Sequence, residues 1–207
     1  MALASSVSPA RLLAGAALLA GLAGLLCGCS PTYDWREVRG AGALVMFPGK
    51  PASVTREVEL AGLRVSMTMQ SARADGLGFA FARVDLPADQ ADLHNRARIV
   101  AALRAGLLRN LSGTSQAGAA GEAAADAASP AAKPYPLARS DRAAAPVSAS
   151  LLEVTGQSEG QELALRALLG SVDTRVYQIA VYGPRAAMDT PAGREAIDTF
   201  FSSIRLD

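Results

Sequence analysis

Between Leu63 and Ala82 the side chains alternate with a period of two, and this stretch narrows the fold more than any other. Val65, Met67 and Met69 fall on one side of the chain, and Arg64, Ser66, Thr68 and Gln70 on the other. Leu77, Phe79 and Phe81 then alternate with Gly78, Ala80 and Ala82. This spacing predicts strands with one apolar face. Asp75-Gly76 between the two runs is a tight hairpin turn, because both residues tolerate a positive φ. Upstream, Val54, Val58 and Leu60 share a face opposite Thr55, Glu57 and Glu59, with Arg56 on the apolar side marking an edge. Ala61-Gly62 turns the chain there. Three strands joined by short turns make an antiparallel meander.

The remaining elements follow from the same rules. Ala43 to Phe47 is a short apolar strand ended by the turn Pro48-Gly49-Lys50-Pro51, where two prolines block continuation. A helix opens near Ala88 or Asp89, with Leu93, Ala97, Val100, Leu103, Leu107 and Leu111 as its apolar stripe. Residues 112–148 change character: Ala117 to Lys133 holds ten alanines in 17 residues, which reads as a flexible, Ala-rich, low-complexity insertion. Leu151, Leu152 and Val154 then form a strand stopping at Gly156. Glu162–Leu169 and Arg175–Tyr182 form a second hairpin. Thr190 as N-cap with Pro191 behind it starts a last helix, with Ile197, Phe200, Phe201 and Ile204 on one face. The expected fold is α+β: an antiparallel sheet of about six to seven strands, in βββα–βββα order, with two packing helices over its apolar face.

The first thirty residues say where the chain goes. Arg11 precedes Leu12–Leu26, an unbroken run of 15 Leu, Ala and Gly residues. A charged start and an apolar run of this length form an export signal; a bilayer span needs about 20 residues. The run ends in Leu26-Cys27-Gly28-Cys29-Ser30. This resembles the bacterial lipobox, with Leu at −3 and a small residue at −1 before the invariant Cys. The resemblance implies lipidation of Cys29 and cleavage between Gly28 and Cys29. Cys27 at −2 departs from the usual Ala, Ser or Thr. Several acyl chains on one residue would hold the chain to a membrane stably. By the same resemblance Ser30, not Asp, after the lipidated Cys favours outer-membrane delivery over the inner membrane. The organisation expected is therefore a signal peptide over 1–28, a lipidated tether over 29–42, and one domain over 43–207 interrupted by 112–148. Within the tether lie Tyr33 and Trp35, the only Trp. An aromatic pair this near a lipid anchor suits the headgroup layer, but the preferred expectation is that Trp35 packs on the domain and closes one end of its core.

Composition excludes several chemistries. Removal of Arg11 leaves 19 basic and 19 acidic side chains, too balanced for a nucleic-acid binder that neutralises phosphates. One His and two Cys build no zinc or iron–sulfur site. His94, in Asp92-Leu93-His94-Asn95-Arg96, reads as a solvated helix residue. Asp89 and Asp92 read as first-turn carboxylates opposing the helix dipole. Met46, Met67 and Met69 read as core filling rather than a soft ligand pocket. No catalytic residues, metal or cofactor are expected.

Three segments together are similar to the DcrB-like and PsbP-like α/β/α sandwich group of small envelope proteins. They are the strand and turn Met46–Pro51, the run Val54–Leu86, and the ending Phe200-Phe201-Ser202-Ser203-Ile204-Arg205-Leu206. That resemblance implies binding or assembly roles and no shared catalytic residues. The expected function is a non-catalytic envelope lipoprotein facing the periplasm, its partners being the membrane and an envelope protein. A carrier or sensor of a small apolar ligand, held between sheet and helices, is the alternative; a hydrolase is a distant third.

Overall fold

In the computed structural model, residues 32–111, 133–158 and 160–207 are described. The Cys29 region and most of the Ala-rich segment lie outside them. The strands are β1 (Arg36–Gly40), β2 (Ala43–Phe47), β3 (Ala52–Leu60), β4 (Leu63–Ala74), β5 (Leu77–Asp85), β6 (Lys133–Arg139), β7 (Val147–Ser158), β8 (Gln161–Val172), β9 (Arg175–Pro184) and β10 (Arg205–Leu206). The helices are α1 (Leu93–Leu111), a single turn α2 (Arg185–Met188) and α3 (Pro191–Ser203). A 3₁₀ turn, Ala88–Gln90, precedes α1. Among the described residues no helix is long and apolar enough to cross a membrane.

The strands form a single ten-stranded sheet in the order β1-β2-β10-β6-β7-β8-β9-β5-β4-β3. It is mixed, because β10 runs parallel to β6. Both points correct the expected six-to-seven-stranded antiparallel sheet. The three added strands, β1, β6 and β10, carry no clean alternation. The β1 strand falls in the stretch read as tether, and β6 in the stretch read as insertion.

The sheet curls tightly. Phe200 on α3 packs against Phe47 of β2 at 5.5 Å and Phe79 of β5 at 5.3 Å between ring centroids. These strands are six steps apart, which is about 29 Å in a flat sheet. Both can reach one ring only if the sheet wraps around α3. Opposite walls also meet directly. Trp35, just before β1, lies edge-on to Phe79 at 6.4 Å. Gly40 lies so close to Gln70 of β4 that a Cβ there would fall 2.8 Å from its Nε2.

The two helices do not share a face, which is the second correction. The concave cluster gathers Phe47, Phe79, Phe81, Tyr177, Ile179 and Phe200 around α3. The convex clusters pack Val65, Val84, Leu169 and Val176, and then Leu152, Leu165 and Ala167, against α1. Strands β5, β8 and β9 are apolar on both faces, so each face needs its own cover. The expected α1 stripe holds from Val100 onward, with Val100, Leu103, Leu107 and Leu111 packed on the convex face. It departs only at its start, where Leu93 and Ala97 are exposed and Ile99 is buried instead. The buried residues of α1 are Ile99, Leu103 and Leu111, while Leu93 is 77% exposed.

Turn chemistry behaves as the residues require. Ala41-Gly42, Ala61-Gly62 and Asp75-Gly76 are pairs with φ of +50 to +75°, the I′ geometry of two-residue hairpins. Gly156 does not end its strand as expected, because β7 continues to Ser158. The Leu111 side chain and carbonyl at the end of α1 press on it, each 2.9 Å from where a Cβ would stand.

Candidate functional site

Two features flank α3 on the concave side. The larger is an open cleft of about 460 Å³ between the β7–β8 hairpin, α2 and α3. Its apolar lining includes Ala164, Met188 and Ile197. Its rim is charged. Glu153 and Arg166 are cross-strand partners and lie 3.5 Å apart, and Arg166 reaches Asp198 at 3.2 Å. The Arg166 guanidinium also stacks over Phe201, 5.4 Å from its centroid. Across the cleft, Arg185 pairs with Glu162 at 2.7 Å and Asp189 at 3.3 Å. Its hydrogen bond to Glu162, more than any other contact, raises its pKa.

The α3 side of the cleft is held by a cap. The Thr190 hydroxyl accepts from the Gly193 N–H at 2.9 Å and donates to the Ala187 carbonyl at 2.9 Å. One side chain therefore joins α2 to α3 and fixes Arg194 and Ile197 over the cleft. Charged hydrogen-bonding groups above an apolar floor suit a partner with both kinds of surface.

The second feature is a smaller groove of about 150 Å³ between α3 and the Tyr33–Trp35 segment, lined by Ala192, Glu195, Ala196 and Thr199. Tyr33 stacks on Trp35 at 5.7 Å and its hydroxyl donates to Asp75 at 3.4 Å. Burial first, then the Asp75 charge, raises the Tyr33 pKa.

The opposite end of the curl is closed by polar groups. Arg83 pairs with Asp85 at 2.8 Å, and Arg175 approaches the same carboxylate at 3.9 Å. Gly42, at φ +70°, lies over them; a Cβ there would sit 2.9 Å from the Arg83 Nη1. Tyr177 is fully buried in the concave core beneath. Burial pushes its pKa above the ordinary 10.0, and Arg175 offsets only part of the rise. A raised folded pKa supplies stability that is present below the unfolded value and lost as pH climbs through the folded one. The urea midpoint of the native chain should therefore fall more steeply above about pH 10 than that of Tyr177→Phe. Parallel curves for the two proteins would contradict this.

Cys29 and Gly28 lie outside the described residues. His94 is exposed in the first turn of α1. Asp92 caps that helix instead, accepting from the Asn95 N–H at 2.8 Å. Met67 packs under α1, and neither groove is lined by Met46, Met67 or Met69. Trp35 packs on the domain. The cleft residues Glu153, Arg166, Arg185 and Asp189 carry no sequence motif. Among the described residues no three His, Cys, Asp or Glu side chains form a metal-holding group.

No protein-family model and no curated protein matches the chain. Several solved structures are similar to it at low sequence identity. A protein from Bacteroides thetaiotaomicron VPI-5482 aligns with 9% identity and a TM-score of 0.40, over 85% of this chain and 49% of its own. The chain thus spans about half the length of that structure. A Pseudomonas aeruginosa protein of unknown function, PA94, described as a putative regulator, aligns with 17% identity and a TM-score of 0.33, over 80% and 95%. The apo immunity protein TplEi of the T6SS of the same organism aligns with 16% identity and a TM-score of 0.31, over 97% and 60%.

Proposed function

We propose that this chain is a lipid-anchored bacterial envelope protein, facing the periplasm and acting as a non-catalytic binding or assembly module. The observation that carries this reading is Leu26-Cys27-Gly28-Cys29 at the end of the 15-residue apolar run. Processing there leaves Cys29 as the mature chain's sole thiol and its first residue. Ser30 behind it favours the outer membrane. The charged cleft beside α3 is the surface we assign to a protein partner.

Metabolic labelling with an alkyne fatty acid in a bacterial host tests the anchor. The native chain and Cys27→Ala should take up label and pellet with membranes, and Cys29→Ala should do neither. Label retained by Cys29→Ala, or a mature native chain whose intact mass shows an unmodified thiol, would overturn the reading.

A further inference from the structure

The folded body begins almost at the anchor. Tyr33 and Trp35 are stacked on each other, Trp35 is fastened to Phe79, and the Asp34 N–H donates to the Pro48 carbonyl at 3.2 Å. Only Ser30, Pro31 and Thr32 separate Cys29 from Tyr33. Four residue steps span at most about 14 Å. Acyl chains would hold Cys29 at the border of the hydrocarbon, under a headgroup layer about 5–8 Å thick. Tyr33 is then within that layer or less than about 9 Å above it. A body of this length is roughly 40 Å across, so so short a leash leaves it little choice of which end faces the lipid.

That end has a suitable surface. The β1 strand starts opposite Phe47, which brings the Pro48–Pro51 turn and its exposed Lys50 to the same pole. The Tyr33 hydroxyl reaches Asp75 in the β4–β5 turn. Next to it, Tyr182 is 40% exposed, with the Arg73 guanidinium 5.9 Å from its ring centroid. Among the described residues neither Lys50 nor Arg73 has a carboxylate partner. Tyrosines and long cationic side chains suit a bilayer interface, with rings at headgroup depth and cations on lipid phosphates.

Building on the lipid anchor at Cys29, we propose that the Tyr33–Trp35 pole docks on the phospholipid headgroups, with Lys50, Arg73 and Tyr182 in contact with them. The domain is thereby held in one orientation, and the Ala61-Gly62 and Asp173-Thr174 turns point into the periplasm.

The test uses the full lipidated chain in vesicles of phosphatidylethanolamine and phosphatidylglycerol. Intact mass first establishes acylation of Cys29, and failure at this step removes the anchor rather than the orientation. On acylated protein, a nitroxide at Gly49→Cys should be several-fold less accessible to a water-soluble nickel relaxant than one at Thr174→Cys. The charge reversals Lys50→Glu and Arg73→Glu together should raise accessibility at position 49 without changing acylation or melting temperature. Equal accessibility at 49 and 174 would overturn the orientation, and this result would favour a body held by a protein partner or turning freely. Indifference to the charge reversals would overturn the headgroup contact.

Discussion

Phe200→Ala is expected to cost about 3–5 kcal/mol, the largest loss from any single truncation in the concave core. The ring is fully buried and touches Phe47, Phe79 and Phe201 at 5.3–5.7 Å between centroids. Those contacts come from two strands far apart in the sheet order and from α3 itself. Removal therefore leaves more than a local void, because the two walls of the curl lose the wedge on which both close. Two shells cannot relax into the gap without changing the curvature of the whole sheet, so the cavity cost should be near the upper end of the range. Val54→Ala is the contrast. Val54 is 43% exposed on the edge strand β3 and should change stability by no more than about 0.5 kcal/mol. Urea unfolding followed by Trp35 fluorescence measures both. A Phe200→Ala protein within about 1 kcal/mol of the native chain would mean that the curl does not depend on this ring.

What was legible in the sequence was whatever repeats. The meander from Val54 to Asp85 and the stripe of α3 are periodic, and both elements formed where the period put them. The outer strands were hidden for physical reasons. The β1 strand, Arg-Glu-Val-Arg-Gly, has one apolar residue to mark it. In β6, Pro134 and Pro136 look like strand breakers. Both lie in the part of β6 that pairs with β7 alone, since β10 joins only at Ala138 and Arg139. A strand with a neighbour on one side can spare donors. The β10 strand is two residues long and gives no pattern at all.

The placement of the helices on two faces has a signal in β8. Leu163 to Leu169 is apolar at most positions on both faces, which signals a strand covered twice. A one-sided strand there would need cover on one face only, which is what the expected sandwich assumes. The α1 stripe was legible from Val100 to Leu111; what its period does not show is that Leu93 at the start stays exposed while Ile99 joins Val100, Leu103 and Leu107 beside Val65, Val84 and Val176. The cleft had no sequence signal. Its charges come from β7, β8, α2 and α3, and only the curl of the sheet around α3 brings Glu153, Arg166, Asp198 and Arg185 to one rim.

Gly193→Ala is the second large effect, and its cause is backbone. A Cβ at Gly193 would fall 2.1 Å from the Ala187 carbonyl oxygen and 3.0 Å from the Thr190 hydroxyl. Neither obstacle is the free end of a flexible side chain. The carbonyl is the acceptor of the Thr190 bond that joins α2 to α3, so relief requires that this corner open. Overpacking costs about 1–3 kcal/mol, and loss of the Thr190 cap adds about 1 kcal/mol. Alanine regains about 1 kcal/mol of helix propensity, which leaves a net destabilisation of about 1–3 kcal/mol. Two companions separate this cause from a general intolerance of the glycines. Gly49→Ala meets no atom within 4 Å and should be neutral or slightly stabilising, by less unfolded-chain entropy. Gly78→Ala meets the Tyr182 ring at 2.5 Å, but that ring is at the surface and can swing aside, so its loss should be the smaller of the two. Denaturant midpoints of the three variants should therefore rank Gly49→Ala above Gly78→Ala above Gly193→Ala. If Gly193→Ala instead matched Gly49→Ala, the α2–α3 corner would have to yield freely, and Thr190 could not be what fixes Arg194 and Ile197 over the cleft.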